Sequence, residues 1–187
     1  MRDLVVTENI TVDGVIAPMD GWFDPAAQDE DLVATNAEHR DAADALVLGR
    51  ITYQDFAAYW PAQVDDPTGI SDYLNGVSKY VVSASLDRAD WENTTILRGP
   101  VEQELAALKR LPGRDIVVTG SASLAQPLVT SGLVDVVRLF VYPVVQGHGR
   151  RLFDGPMPGG LTLVDTRTFA SGIVLLAYRS MASPSAA

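Results

Sequence analysis

The chain has 187 residues, 47% hydrophobic, with 24 acidic against 14 basic side chains and a formal charge of −10. That length supports one well-buried core, and the acidic balance argues against the basic face that duplex nucleic acid requires. The absence of cysteine excludes disulfides, thiolate nucleophiles and cysteine-ligated metal.

Charges lie inside the first apolar run, MRDLVVTENITVDG, so no signal peptide is expected, and no stretch reaches the ~18 residues of unbroken apolarity that span a bilayer. A soluble cytoplasmic protein is the expectation, with no membrane or nucleic-acid partner. One domain over 1–180 is expected, followed by a disordered tail at 181–187.

Leu4 to Thr11 reads as a first strand and Thr11-Val12-Asp13-Gly14 as its exit, with glycine at a turn position that favours positive φ. Val15 to Phe23 mixes aromatics with proline and glycine; it is either a lid or pocket wall, or a packed surface loop. Pro25 to Ala43 is predicted as a helix, with Asp24 as cap, Pro25 in the first turn, and Asp29, Glu30 and Asp31 toward the end where negative charge is favourable. Ala45 to Leu48 reads as a central strand that breaks at Gly49, and Thr52 to Trp60 as a short helix ended by Pro61. Ala62 to Tyr73 is expected as a polar connection. Lys79 to Ala84 and Thr94 to Leu97 are predicted strands, and Val101 to Arg110 a helix.

Ile116 to Val118 then forms a buried-strand run, Thr119-Gly120-Ser121 a turn, and the residues carrying Leu124, Leu128 and Val129 a helix that must accommodate Pro127. Val134 to Val145 is a long apolar strand leading to a glycine-rich turn at 146–151. Leu161 to Phe169 and Gly172 to Arg179 close the chain as a hairpin. Strands alternating with helices, then an antiparallel pair, predict a mixed, mainly parallel sheet with helices on both faces.

Two places repeat one arrangement: strand, glycine, helix, at Gly49-Arg50 and at Gly120-Ser121. Each puts unpaired backbone N–H groups and a helix dipole where an anion is favoured, and the pair suits the phosphates of an extended nucleotide. Ordinary strand-helix turns would look the same. Arg50 is the best anion ligand by position, since a guanidinium pairs with phosphate in two hydrogen bonds; a salt bridge to Asp44 or Asp55 is the competing use. Thr52 offers a hydroxyl or a cap, and Ser83 and Ser85 flank Ala84 at another strand end. Neither GxGxxG nor a Walker motif is present, no serine sits in GxSxG, and the two histidines, His39 and His148, lack metal-ligand spacing. No metal is expected. For proton transfer the candidates are Asp13 and the cluster containing Asp29 and Asp31, each competing with a solvated or capping role.

These pieces together resemble the dihydrofolate reductase-like superfamily, and more closely its branch shared with the carboxyl-terminal reductase domain of the bifunctional riboflavin-biosynthesis deaminase/reductase. The resemblance runs from Leu4 to Arg179. It rests on Thr11-Val12-Asp13-Gly14 with Ile16-Ala17, Leu48-Gly49-Arg50-Ile51-Thr52-Tyr53, Tyr59-Trp60-Pro61, Lys79-Tyr80-Val81-Val82-Ser83, Val118 to Leu124, and Tyr142-Pro143-Val144-Val145.

It implies a three-layer α/β/α fold around a central mixed, mainly parallel sheet of about eight strands, with NADPH along its carboxyl edge. By that likeness Gly49, Arg50 and Thr52 meet the cofactor phosphates, and Ser83 and Ser85 the adenosine end. Thr119, Gly120, Ser121, Ala122, Ser123 and Leu124 approach the pyrophosphate and nicotinamide, with Ile16 and Ala17 in the loop beside them. A carboxylate among Asp13, Asp29 and Asp31 would serve the substrate. Hydride transfer to a C=N or related carbon of a pterin-like or pyrimidine substrate, such as the riboflavin-pathway 5-amino-6-(5-phosphoribosylamino)uracil, is the implied reaction, in a homodimer. The alternative is a ligand-binding protein that keeps the fold without turnover. Ala84 departs from the pattern, since relatives carry a cation there for the 2′-phosphate.

Overall fold

The computed structural model describes residues 1–24, 29–63, 66, 68–157 and 159–181. In chain order it contains β1 (Leu4–Thr11), β2 (Val15–Ala17), α1 (Glu30–Asp41), β3 (Ala43–Gly49), α2 (Arg50–Tyr59), α3 (Ile70–Gly76), β4 (Ser78–Val82) and β5 (Thr94–Leu97). There follow α4 (Val101–Arg110), β6 (Asp115–Thr119), α5 (Ala122–Thr130), β7 (Val136–Tyr142), β8 (Arg150–Arg151), β9 (Leu161–Thr168) and β10 (Val174–Ser180).

Eight strands form one sheet in the order β5-β4-β3-β6-β1-β7-β10-β9, and β2 pairs with β8 as a separate ribbon. Within the eight-stranded sheet, pairings from β5 through β7 are parallel and those of β10, with β7 and β9, are antiparallel. The expected three-layer, mixed and mainly parallel α/β sheet is therefore observed. Central strands such as β3, ADALVLG, are apolar on both sides because helices cover both faces.

Alternate residues of each strand feed different layers. On one face Val6, Ile10, Val47, Val118 and Val137 pack with Leu105 and Leu108 of α4 and Leu124 and Leu128 of α5. On the other, Leu46, Leu48 and Val81 pack with Tyr53 of α2, Leu74 of α3 and Trp91. Further along this face Leu32 of α1 joins Phe140, Tyr142, Phe169 and Leu175. Each fully buried Leu, Val or Phe contributes roughly 1.5–3 kcal/mol, so these layers hold the strand ends in fixed relation.

Several boundaries differ from expectation. α1 starts at Glu30, capped by Asp29, whose carboxylate accepts the Leu32 N–H at 2.9 Å; Pro25, expected in the first turn, lies outside the described residues. The predicted polar connection holds α3: Gly69 takes φ +67 before it, and Asp66 accepts N–H bonds from Thr68 and Ser71, both at 2.9 Å. Val15–Ala17 forms a strand, so the start of the predicted irregular segment pairs with the end of the glycine-rich turn. β7 covers only the middle of the predicted Val134–Val145 strand. Pro127 lies within α5, where its missing N–H removes one helical bond. Ser180 belongs to β10, and 182–187, most of the expected tail, lie outside the described residues.

Two cations have structural uses. Lys79, 0% exposed, donates to the carbonyls of Leu74 (2.6 Å) and Val77 (2.9 Å) at the end of α3 and sits 4.5 Å from the Trp91 ring. Burial pulls its ammonium down to about 8. Arg2 reaches across the strand starts to Asp44 and donates to the Arg114 carbonyl at 2.6 Å.

Candidate active site

β3 and β6 are neighbours, with Val47 beside Val118, so the Gly49 and Gly120 junctions leave the sheet side by side. Nothing in the local sequence announces this adjacency, which makes one site of two turns. Gly49 caps α2 and Ser121 caps α5, and neither helix entrance has a side-chain cap. Their first N–H groups and positive dipole ends therefore face one cleft.

The glycines permit that approach. A Cβ on Gly49 would overlap Ser121 Oγ and lie 3.2 Å from Ser121 Cβ. Gly120 has φ +50, and a Cβ there would come 3.1 Å from Thr52 Oγ1. The resulting cleft, about 290 Å³, is lined by Gly49, Arg50, Ile51, Val82, Ser83, Ser121, Ser123 and Leu124.

Arg50 is exposed at the head of α2 and donates to Gln54 Oε1 at 2.9 Å. It pairs with neither Asp44, held by Arg2, nor Asp55, so its guanidinium faces solvent beside the cleft. Ser123 Oγ donates to Ser121 Oγ at 3.4 Å. Ser83 Oγ accepts from the N–H groups of Ser85 (3.2 Å) and Leu86 (3.0 Å) and so ties off the loop after β4. Ser85 and Ala84 are exposed on that loop, and Arg98 braces it by donating to the carbonyls of Leu86 (2.7 Å) and Asp87 (3.1 Å). Arg88 pairs with Asp90 instead.

Thr119, two residues before Ser121, lines a second cavity of about 160 Å³ with Thr7, Asn9, Phe23, Leu32, Asn36, Phe140 and Tyr142. Phe23 and Trp22 stack edge-on against Tyr142, with centroids 5.9 and 5.1 Å away, so the end of the aromatic loop is a wall of this cavity. Ile16 and Ala17 belong to the β2–β8 ribbon instead. Ile16 is buried in the core beneath α5, and Gln126 of α5 holds the ribbon by donating to the Arg151 carbonyl at 3.1 Å. Ala122 and Leu124 pack the head of α5 onto the same core.

The expected carboxylates do not reach this cavity. Asp13 accepts Thr11 Oγ1–H (2.7 Å) and the N–H groups of Gln146 (3.0 Å) and Gly147 (2.8 Å), which lower its carboxyl to about 2 and clamp the 146–147 loop. Asp29 accepts from Ser171 N–H at 2.9 Å as well as from Leu32, and both bonds hold it below the usual carboxylate range. Asp31 is exposed in the first turn of α1. The later helix start turns Leu32 and Asn36, four residues apart, toward the cavity instead.

The acid that sequence reasoning passed over is Glu8, whose burial among apolar side chains raises its carboxyl to about 8. Its only signal was a charged residue on the strand face that otherwise carries Leu4, Val6 and Ile10. Asn9 and Asn36 were missed as well, because neutral amides carry no charge pattern. Among the described residues no group of three or more His, Asp or Glu side chains converges as a metal site, and no helix is long and apolar enough to cross a membrane.

Residues 2–175 match the RibD C-terminal domain. The chain is 32% identical over 180 residues to the uncharacterized protein YyaP of Bacillus subtilis, covering 95% of this chain and 94% of that one. A pyrimidine reductase-like protein from Corynebacterium diphtheriae has a similar structure, with TM-score 0.68 at 15% identity over 95% of this chain and 91% of that one. So has a dihydrofolate reductase from Enterococcus faecalis complexed with NADP(H), with TM-score 0.61 at 16% identity over 95% of each chain. At such identities the two structures share a fold with this chain.

Proposed function

Because the chain belongs to the RibD C-terminal domain family, we propose that it is a nicotinamide-dependent reductase using NADPH. The observation that carries this reading is the pair of uncapped helix entrances, α2 and α5, brought together beside an arginine that, among the described residues, no carboxylate occupies. The lining of the cleft fits a dinucleotide: backbone N–H groups, three serine hydroxyls, one guanidinium and no acid.

In this reading Arg50 and the N–H groups after Gly49 and Ser121 hold the pyrophosphate, and Thr52 supports the Gly120 turn. The Ser83–Ser85 loop meets the adenosine end, where Arg98 is the guanidinium that β5 brings to the 2′-phosphate. Reduced nicotinamide supplies a hydride from C4 when bound. The chain's part is to set that ring against the substrate and to exclude water from the gap. The smaller cavity takes the substrate ring, a pterin-like or pyrimidine group. Its volume suits one six-membered ring, since an apolar cavity of about 150 Å³ admits benzene, and so favours the pyrimidine over the two-ring pterin. Phe23, Phe140 and Tyr142 cover the faces of that ring, and Thr7, Asn9, Asn36 and Thr119 meet its polar edge. Of the expected acids, Asp13 holds the 146–147 loop and Asp29 caps α1, the helix that carries Leu32 and Asn36 to the cavity. A homodimer is part of the same reading; β9, one of the two edge strands of the sheet, exposes Leu163 and Val164.

One observation favours a second reading, a ligand-binding protein without turnover: every side chain lining the smaller cavity is uncharged. Titration of nicotinamide fluorescence, then a turnover screen with dihydrofolate and aminouracil-type substrates, separates the two. Saturable NADPH binding below about 1 mM with oxidation of the cofactor is expected. Binding without oxidation would support the second reading, and no saturable binding of NADPH or NADH would overturn the reductase reading.

A further inference from the structure

Glu8 stands on β1, the strand between β6 and β7, with its side chain on the face shared by Val6 and Ile10 and covered by α5. It is 8% exposed, and its Oε1 is buried without a hydrogen-bond partner. β1 and β6 run parallel with Thr7 beside Thr119, so Glu8, the next residue of β1, stands where the chain leaves β6 at Gly120 to open α5.

The surroundings offer no counter-charge. Val118 on β6, Val137 and Leu139 on β7, and Val6 and Ile10 on β1 are apolar, and α5, ASLAQPLVT, has no ionisable residue. Cations on adjoining elements, Arg50 on α2 and Arg150 and Arg151 on β8, are exposed to solvent. A carboxylate in such a place keeps its proton, because ionisation would bury an uncompensated charge.

We propose that Glu8 is a positioning residue that supports the Gly120–Ser121 turn as a neutral carboxylic acid, and that its proton is thermodynamically linked to anion binding at the α5 entrance. The inference rests on the nucleotide reading given above. An ionised Glu8 would set a second negative charge under the entrance that receives the pyrophosphate, so anion and proton bind together. Burial raises the carboxyl to about 8 in the free protein, which puts the transition in an accessible range. A bound anion raises it further, and proton uptake accompanies binding above that pH. The arrangement makes a site filled below about pH 8 and weakened above it.

The test is the affinity for NADPH and for NADH, by nicotinamide fluorescence, from pH 7 to pH 9.5 in wild type and in E8Q. Wild type should weaken roughly tenfold across the range. E8Q should hold its own affinity at pH 9.5 within about twofold of its value at pH 7. Lys79, lowered to about 8 on the opposite face of the sheet, titrates in the same window but is present in both proteins, so the difference between them isolates Glu8. Parallel profiles, or a flat wild-type profile, overturn this inference and leave the nucleotide reading intact. No binding of either nucleotide to wild type at any pH overturns the nucleotide reading and this inference with it. Should E8Q fail to fold, wild type decides alone: titration calorimetry at pH 8.5 in two buffers of different ionisation enthalpy must show proton uptake on binding, and its absence refutes the linkage.

Discussion

Replacing Gly49 with alanine adds one methyl at the closest approach of the two helix entrances. The backbone there, φ −74 and ψ 158, is open to any residue, so the substitution carries no conformational strain and its effect is steric. The new Cβ would overlap Ser121 Oγ and stand 3.2 Å from Ser121 Cβ. The hydroxyl can rotate away, whereas the Cβ moves only if α5 shifts by a few tenths of an ångström. The expected loss of stability is therefore about 1 kcal/mol, the low end of the ~1–3 kcal/mol range for overpacking. Binding suffers more, because the rotation withdraws a hydroxyl from the cleft and breaks its bond with Ser123; about a tenfold weaker NADPH affinity is expected. Urea unfolding followed by tryptophan fluorescence reads the first quantity, and nicotinamide fluorescence the second. G49A combined with S121G should recover stability relative to the sum of the single changes, with a coupling of about 1 kcal/mol. Wild-type stability and affinity in G49A, or strict additivity in the double variant, would refute the packing argument.

Arg50→Ala should weaken NADPH and NADH alike, by ~10–100-fold for loss of a charge-assisted bond to phosphate, and should flatten the salt dependence of binding; equal affinity in titrations at two ionic strengths would remove Arg50 from the site. Ala84→Arg should favour NADPH over NADH by roughly tenfold, read as the ratio of their dissociation constants, and an unchanged ratio would place the adenosine end elsewhere. Asp13→Asn should loosen the 146–147 loop, with faster hydrogen exchange at Gln146 and Gly147. Its carboxyl lies at about 2 against an ordinary 3.8, so its contribution is present above pH 4 and lost as pH falls through 2. The variant should therefore lack that part of the acid destabilisation of wild type, and an identical urea midpoint profile from pH 5 to pH 2 would refute the clamp. For Glu8 the sign is opposite. A folded value of about 8 above the ordinary 4.5 means stability declines as pH rises from 4.5 to 8, by several kcal/mol. E8Q should flatten that decline in the same unfolding series.

The two strand-glycine-helix junctions are legible in the sequence because their signals are local: an apolar run, a glycine, and a residue suited to a helix entrance. Their adjacency is not, since β6 follows β3 by some 70 residues and the sheet order depends on every crossover between. Arg50 could be named as an anion ligand, but its freedom rests on Arg2, 42 residues before Asp44, taking that carboxylate. The acids were harder to place. Reading the first helix from Pro25 leaves its rotational phase undetermined, and only the Asp29 cap shows that Leu32 and Asn36, rather than an aspartate, face the cavity. α3 escaped because seven residues are too few for a helical period to stand out, and its start depends on a left-handed Gly69 and the Asp66 carboxylate. Glu8 shows the same limit. Its position in the strand is visible, while the cover that keeps it protonated comes from α5, more than 110 residues away.

A crystal structure of the protein grown with NADPH tests the central claim most directly. The account predicts pyrophosphate density between the N–H groups after Gly49 and those after Ser121, within hydrogen-bond distance of the Arg50 guanidinium, and the nicotinamide directed toward Thr119. A dinucleotide seated anywhere else on the chain, with both helix entrances open, would contradict it.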